Sequence, residues 1–255
     1  MKKETLFIAF TTQKGGVGKS AITTLTASIL HYRMGYNVAV FDCDYPQWSI
    51  AKMRDRDTKT VIESERFKQL AYEQFTSITK KAYPVISSKP DEVIQKAEAF
   101  LKETPIDFDF VFFDLPGTIN SAGVINSISR MHYIFSPIIA DRLVLESTLA
   151  FMNVLNGVLV KGGDTGIKGI HLFWNMVDGR EKSELYAHYD RIIKELDLSL
   201  MKTYLPDSKR FRKEMSAEME NRQISRSTIF PIDRRLSKSI RIEEFITEFL
   251  QIVQH

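Results

Sequence analysis

The feature that most constrains this chain is a glycine-rich turn set between an apolar run and a helical stretch. Thr5-Leu-Phe-Ile-Ala-Phe10 has five apolar residues in six and reads as a buried strand. Gln13-Lys-Gly-Gly-Val-Gly-Lys-Ser20 follows. Ala21 to Met34 then repeats Ile22, Leu25, Ile29 and Tyr32 at helical spacing, with Gly35 where a helix end wants a left-handed residue. Three glycines let backbone N–H groups turn inward onto a phosphate, and the helix start presents its positive end to the same place. Lys19 reaches the β and γ phosphates of a nucleotide, and the Ser20 hydroxyl is a ligand for Mg²⁺. The strict pattern Gly-x-x-x-x-Gly-Lys-Ser would need glycine at position 13, where Gln13 stands.

Further apolar runs follow at Asn37–Phe41, Phe108–Phe113, Met131–Ile139 and Lys168–Met176, with a shorter strand expected over Leu198–Leu205. Leu143–Val160 reads as a helix. Residues 49–105 are polar and largely helical, with a short strand at Tyr83–Ser87. Strands alternating with helical stretches of about ten residues or more imply a parallel sheet covered on both faces. The expected fold is therefore α/β: one domain over 1–255 with a mainly parallel central sheet flanked by helices on both faces. The first strand begins by Thr5, so no separate N-terminal DNA-reading module is expected.

Composition narrows the function classes. A single cysteine, Cys43, excludes an intramolecular disulfide, a cysteine-bridged iron–sulfur cluster within one chain and a zinc finger. Its expected role is that of a buried strand residue. No unbroken apolar run approaches about 18 residues, and the first one stops at Phe10, too soon for a signal peptide. The expected location is the cytoplasm. The formal net charge of +3 is unevenly placed: residues 200–241 hold 11 basic and 5 acidic residues, while residues 1–199 balance at 24 of each. Such a block points to a polyanionic partner. The five histidines show no metal spacing, and Trp48 and Trp174 read as packing residues.

Lys14-Gly-Gly-Val-Gly-Lys-Ser20 resembles the deviant Walker A motif of the ParA/MinD family of P-loop ATPases, whose extra lysine stands at the position of Lys14. Phe41-Asp-Cys-Asp-Tyr-Pro-Gln47 resembles that family's Asp-x-Asp-Pro-Gln motif. Val111-Phe-Phe-Asp-Leu-Pro116 resembles its Walker B, Phe173–Asp178 the strand end that reads adenine, and Tyr204–Asp207 the loop that closes over the base. Within the family, the Asp42–Gln47 string and Phe230-Pro-Ile-Asp-Arg-Arg235 resemble the TraA type of Bacteroides conjugative transposons. Three departures stand out. Tyr45 adds a residue before the proline, Ala21 replaces a frequent Thr, and Gly117 replaces a frequent second Pro, which is expected to loosen the loop after Asp114.

The resemblance implies a role for each residue. Nucleotide would be held by Lys14, Gly15, Gly16, Val17, Gly18, Lys19, Ser20 and Ala21 on the phosphate side. Asn175, Pro206 and Asp207 would serve the base. Lys19 would neutralise phosphate charge in its own site, while Lys14 would reach the nucleotide of a second subunit. Mg²⁺ would lie at Ser20, with Asp114 behind it and Asp42 nearby, and Asp44 would orient the attacking water. Lys14, Lys19 and Asp44 thus form the expected catalytic set, and ATP and Mg²⁺ the expected ligands. The implied function is a slow ATPase that dimerises in ATP, binds DNA nonspecifically and serves DNA partition or transfer of a mobile element. A ParB-like or transfer-machinery activator would be its partner.

For the DNA surface the candidates are Arg234, Arg235, Lys238 and Arg241, preceded by a basic helix expected over residues 209–221 with Phe211, Met215 and Met219 on its apolar stripe.

Ser239–Gln254 carries a strong apolar face, but its polar face offers Glu243, Glu244 and Glu248 instead of the cations a membrane-surface helix wants. It is expected to dock on the core, and no membrane partner is expected. The competing class is a MinD-like positioning ATPase acting on a membrane or a protein. Cluster-binding relatives need cysteines that are missing here, pump-type relatives commonly carry two P-loops, and a tyrosine-kinase relative would show tyrosines after Tyr204.

Overall fold

The computed structural model describes residues 4–117, 122–162, 165–179, 183–208 and 224–254. Seven strands form one all-parallel sheet in the order β3-β2-β4-β1-β5-β6-β7. They are β1 (Leu6–Phe10), β2 (Val38–Asp42), β3 (Val85–Ser87), β4 (Phe110–Asp114), β5 (Tyr133–Ile138), β6 (Gly169–Trp174) and β7 (Ser199–Leu200). The central strands read as continuous apolar runs because both faces of the sheet are covered. β7 is only two residues long, against the expected run to Leu205. Past Leu200, Met201 N still donates to Leu172 O at 2.8 Å, but Glu248 draws off the Lys202 and Thr203 N–H groups at 2.7 Å each.

One face is packed by α1 (Lys19–Tyr32), α2 (Ser49–Glu63), α8 (Arg234–Ser239) and α9 (Ile242–Val253), with α3 (Glu65–Ile78) against α2. The other is packed by α4 (Val93–Glu103), α5 (Ala122–Ser129), α6 (Arg142–Leu155) and α7 (Ser183–Glu195). Alternate strand residues serve alternate faces: Ile8 and Phe10 point to the first, Phe7 and Ala9 to the second. α9 docks as expected. Phe245 and Phe249 are fully buried, with Phe249 4.9 Å from the Phe135 ring and Phe245 4.8 Å from the Phe173 ring.

α6 continues as a π-helical turn over Asn156–Val160. Arg142–Val160 is long and apolar enough to cross a membrane by length and composition, with a mean hydropathy of 1.7. It is not an unbroken apolar run: Glu146, Asn153 and Asn156 interrupt it. One side of the helix, including Leu145, Leu149, Met152 and Leu155, is buried on the sheet. Leu143, Val154 and Val158 lie exposed on its outer side.

β1 sits between β4 and β5, where the order of connections reverses. Ligands bind at the carboxyl ends of the strands at such a point. The glycine turn, Asp42, Asp44 and Asp114 all emerge at that edge.

Candidate nucleotide site

A cavity of about 660 Å³ opens at this edge. It is lined by Gly15, Gly16, Gly18, Lys19, Ser20 and Ala21 from the turn and α1, by Asp44 after β2, and by Asn175 and Asp207. Val17 is buried beneath the turn and Lys14 is exposed outside the cavity. Gly16 and Gly18 take φ of +78° and +89°, conformations that side chains disfavour. Space is also restricted at Gly18, where a β-carbon would stand 2.9 Å from Asn175 Nδ2. Asn175 in turn donates to the Val17 carbonyl at 2.8 Å. Its amide nitrogen therefore braces the phosphate loop, a role the sequence did not suggest.

The wall expected to serve the base is laced by backbone. Leu205 N donates to Trp174 O at 2.8 Å, Val177 N to Leu205 O at 3.1 Å, and Asp207 N to Val177 O at 2.9 Å. A bridge pairs Val177 with Pro206. The strand end after Trp174 and the loop at Pro206 thus form one wall. Trp174 itself donates to Asp190 at 2.8 Å and is a packing residue, as expected.

Lys19 turns back onto the Lys14 carbonyl at 3.4 Å. Burial lowers its pKa, and Asp114 and Asp44 partly restore it. Asp114 is fully buried, and neither carboxylate oxygen has a hydrogen-bond partner of good geometry. Burial pushes its pKa up to about 7, although the nearby Ser20 hydroxyl and Lys19 act to lower it. An unsatisfied carboxylate beside a hydroxyl is a costly arrangement without a cation. The donor set, a hydroxyl with a carboxylate behind it, suits Mg²⁺, which keeps several waters and takes phosphate oxygens.

Asp42 lies beside Asp114 in the sheet and is also tied to α2. Its Oδ2 accepts the Ile50 and Ala51 N–H groups at 2.9 Å each, and its Oδ1 accepts Asp44 N at 3.3 Å. The carboxylate caps the start of α2, whose unpaired N–H groups favour an anion. Burial raises its pKa, and these three bonds act against the rise. Cys43 is buried between the two aspartates with its thiol pKa pushed well up by burial.

Gly117 lies close against the phosphate loop: a β-carbon there would stand 3.1 Å from Lys14 C and 3.2 Å from Gly15 N. Among the lining residues outside the sequence reading of this site are Ser49, Lys52, Met53 and Arg56, all on one face of α2, and Arg226.

The candidate DNA residues separate into two groups. Arg234, Arg235 and Lys238 are exposed on α8 and share a groove of about 420 Å³ with Arg33 from the end of α1. Arg241 is drawn away from them. Its guanidinium lies 4.1 Å over the Tyr204 ring, and its Nε donates to Glu244 at 2.9 Å. The basic helix expected over 209–221 lies outside the described residues.

The profile of the CobQ/CobB/MinD/ParA nucleotide binding domain matches residues 8–221. The chain belongs to that family. No curated protein matches it closely. Among solved structures, a plasmid partition protein of Borrelia burgdorferi bound to AMPPNP matches with a TM-score of 0.63 at 14% identity, covering 97% of this chain and 99% of that one. The ParA of pNOB8 bound to nonspecific DNA matches at 0.61 and 19% identity, covering 98% and 99%. The Aquifex aeolicus MinC:MinD cell division complex matches at 0.52 and 13% identity, covering 80% and 82%. At such identities the likeness is one of fold.

Proposed function

We propose that this ParA/MinD-family chain is a Mg²⁺-ATP-dependent switch that dimerises in ATP, hydrolyses it slowly and binds DNA nonspecifically. The observation that carries the reading is the division of labour between two lysines. Lys19 is turned into the cavity, whereas Lys14 is exposed outside it. By the family resemblance, a cation placed there would serve the nucleotide of a second copy. Mg²⁺, bound with the nucleotide, would neutralise phosphate charge; Ser20 would ligate it and Asp114 would hold it through water. The Asp42 carboxylate is committed mainly to α2, leaving Asp44, which lines the cavity, to orient water.

DNA binding rests on Arg234, Arg235 and Lys238. They sit on one short helix with no acidic residue inside it, while Arg33 in the same groove is paired with Glu243 at 3.3 Å. A ParA relative bound to nonspecific DNA supports DNA as the partner. The motif strings of the TraA type suggest service in partition or transfer of a mobile element, with a ParB-like or transfer-machinery protein as activator.

The test is binding to long duplex DNA with ATP, with ADP and without nucleotide. Affinity should be independent of sequence, strongest in ATP, and fall with salt at a log–log slope of roughly −0.9 per phosphate neutralised. Replacing Arg234, Arg235 and Lys238 with Glu should abolish it while sparing ATP binding. Salt-insensitive or undetectable binding in ATP would reject the DNA reading.

One observation favours the MinD-like alternative acting on a protein. The outer side of Arg142–Val160 leaves Leu143 77%, Val154 59% and Val158 65% exposed, an apolar stripe that suits a partner protein. A wild-type protein that ignores DNA yet is stimulated by a partner whose effect is lost in Val154→Asp would favour that reading.

A further inference from the structure

We infer that α2 is the element through which the nucleotide cavity controls the cationic face of α8. The inference rests on the reading that ATP fills the cavity and that α8 meets DNA. It names the residues that join the two sites.

α2 has two working faces. Ser49, Lys52, Met53 and Arg56 recur at helical spacing and line the nucleotide cavity. The start of the same helix is tied by Asp42 to the end of β2, next to Asp114 in the sheet. Anything that draws Lys52 and Arg56 toward phosphate therefore acts on a helix anchored beside the metal position.

The second face holds a strap, residues 224–233. Arg54 Nε donates to Thr228 Oγ1 at 2.9 Å, and its two terminal nitrogens donate to Thr228 O at 2.8 Å and Tyr83 O at 2.9 Å. Asp57 Oδ2 accepts Thr228 N at 2.6 Å, Thr228 Oγ1 at 2.8 Å and Ser227 Oγ at 3.0 Å. Asp57 is 1% exposed. These are charge-assisted bonds in a dry site, where such bonds are strong and geometrically demanding. α1 grips the same two residues from the other side: Ser28 Oγ donates to Ser227 O and Tyr32 Oη to Thr228 O, both at 2.7 Å.

The strap leads straight to the DNA face. Its end, Asp233, caps α8 by accepting Arg235 N at 2.8 Å. Arg33, at the end of α1, donates to Ile232 O within the strap. Ser227 and Thr228 thus sit where α1, which carries the phosphate loop, meets α2, which carries Lys52 and Arg56. A shift of α2 relative to α1 cannot leave Thr228 in place, and six residues beyond it stand the α8 cations. Arg54 and Asp57 are positioning residues for that surface.

Coupling between two binding sites is reciprocal and typically about 5- to 150-fold. ATP should tighten DNA, and DNA should tighten ATP by the same factor. Asp57→Asn keeps the volume but removes the charge that gathers three donors. It should retain nucleotide affinity in the absence of DNA, while the ratio of DNA affinities in ATP and ADP falls toward unity. The effect of DNA on ATP affinity should fall equally. A folded Asp57→Asn protein with the wild-type ratio would make the strap a static staple and overturn the inference.

Two further measurements keep it open to refutation. If Asp57→Asn does not fold, Arg56→Gln on the cavity face should lower the same ratio, and an unchanged ratio there overturns the inference. Amide exchange needs no DNA at all. Adding Mg²⁺-ATP to wild-type protein should change protection at Thr228 and Leu236 as well as at Ile50. A change at Ile50 without one at Thr228 would overturn the α2–strap link. Strap protection that responds to ATP in a protein that never binds DNA would reject the DNA reading alone.

Discussion

Asn175 donates its amide hydrogen to the Val17 carbonyl at 2.8 Å, so the end of β6 braces the phosphate loop from the side. Gly18 fits beneath that bond only because it has no β-carbon, which would stand 2.9 Å from Asn175 Nδ2. Gly18→Ala should therefore combine an unfavourable φ with a clash. The expected cost is about 1–3 kcal/mol of stability, read by urea titration, with nucleotide affinity reduced at least about tenfold. Asn175→Leu should lose affinity with a smaller loss of stability. Unchanged affinity in both would mean the brace is incidental.

Lys19→Ala should abolish nucleotide binding, because phosphate would enter a partly dry site with its cation removed. Lys14→Ala should keep ADP affinity and lose the ATP-dependent dimer. Nucleotide titration and sizing in ATP and ADP separate the two. Equal loss of ADP affinity would defeat the cross-subunit role of Lys14.

Asp44 lines the cavity, whereas Asp42 holds α2. Asp44→Ala should bind Mg²⁺-ATP and hydrolyse it about 10²–10⁴-fold more slowly, the usual contribution of a positioned base. Asp42→Ala should instead lower stability by loosening α2, typically by about 1 kcal/mol for a lost cap. Undiminished turnover in Asp44→Ala would move the water-orienting role elsewhere.

Asp114 gives the nucleotide-free protein a definite pH dependence. Its folded pKa is raised to about 7, so between about pH 4 and pH 7 the folded state holds a proton that the unfolded state has lost. Its contribution is present below that window and is lost as pH rises through it. Asp114→Asn should therefore be the more stable protein at pH 8, by up to about 4 kcal/mol, and nearly equal to wild type near pH 4. Mg²⁺-ATP should reverse the order at pH 8. Urea titrations at both pH values, with and without ligand, check this.

His132 acts in the opposite sense. Its Nδ1 accepts the Phe7 N–H at 2.8 Å, which requires the neutral ring, and burial lowers its pKa although Glu4 raises it. The unfolded chain takes up a proton below about pH 6.5 that the folded chain resists, so stability should fall as pH drops through that value. His132→Asn should flatten that acid limb. An unaltered limb would assign it to His31 and His171, whose pKa values burial also lowers.

The P-loop, the five longer strands and the docked last helix were legible because their signals are local: apolar runs, helical spacing, glycines at a turn. The α2 network was not. Asp57 and Arg54 look like ordinary charges on a polar helix, and their partner Thr228 lies about 170 residues away. Nothing in the sequence announces a distance of that kind. The tie from Asp42 to α2 was not legible because a carboxylate after a strand looks the same whether it faces a cation or a helix start. Arg241 was grouped with its basic neighbours by proximity in the chain, while Tyr204 and Glu244 decided its direction in space.

The packing of α9 bears on how the chain is made. Phe10 of β1, Phe112 of β4 and Phe135 of β5 lie in the same apolar cluster as Phe245 and Phe249. During synthesis β1 thus waits for partners about 100 residues later in β4, and for its cover about 235 residues later in α9. A nascent chain without α9 would leave an aromatic face of its central strands open to water, and exposed apolar surface of that kind aggregates. Shortening the chain at Arg241 should therefore yield insoluble protein rather than a smaller folded one.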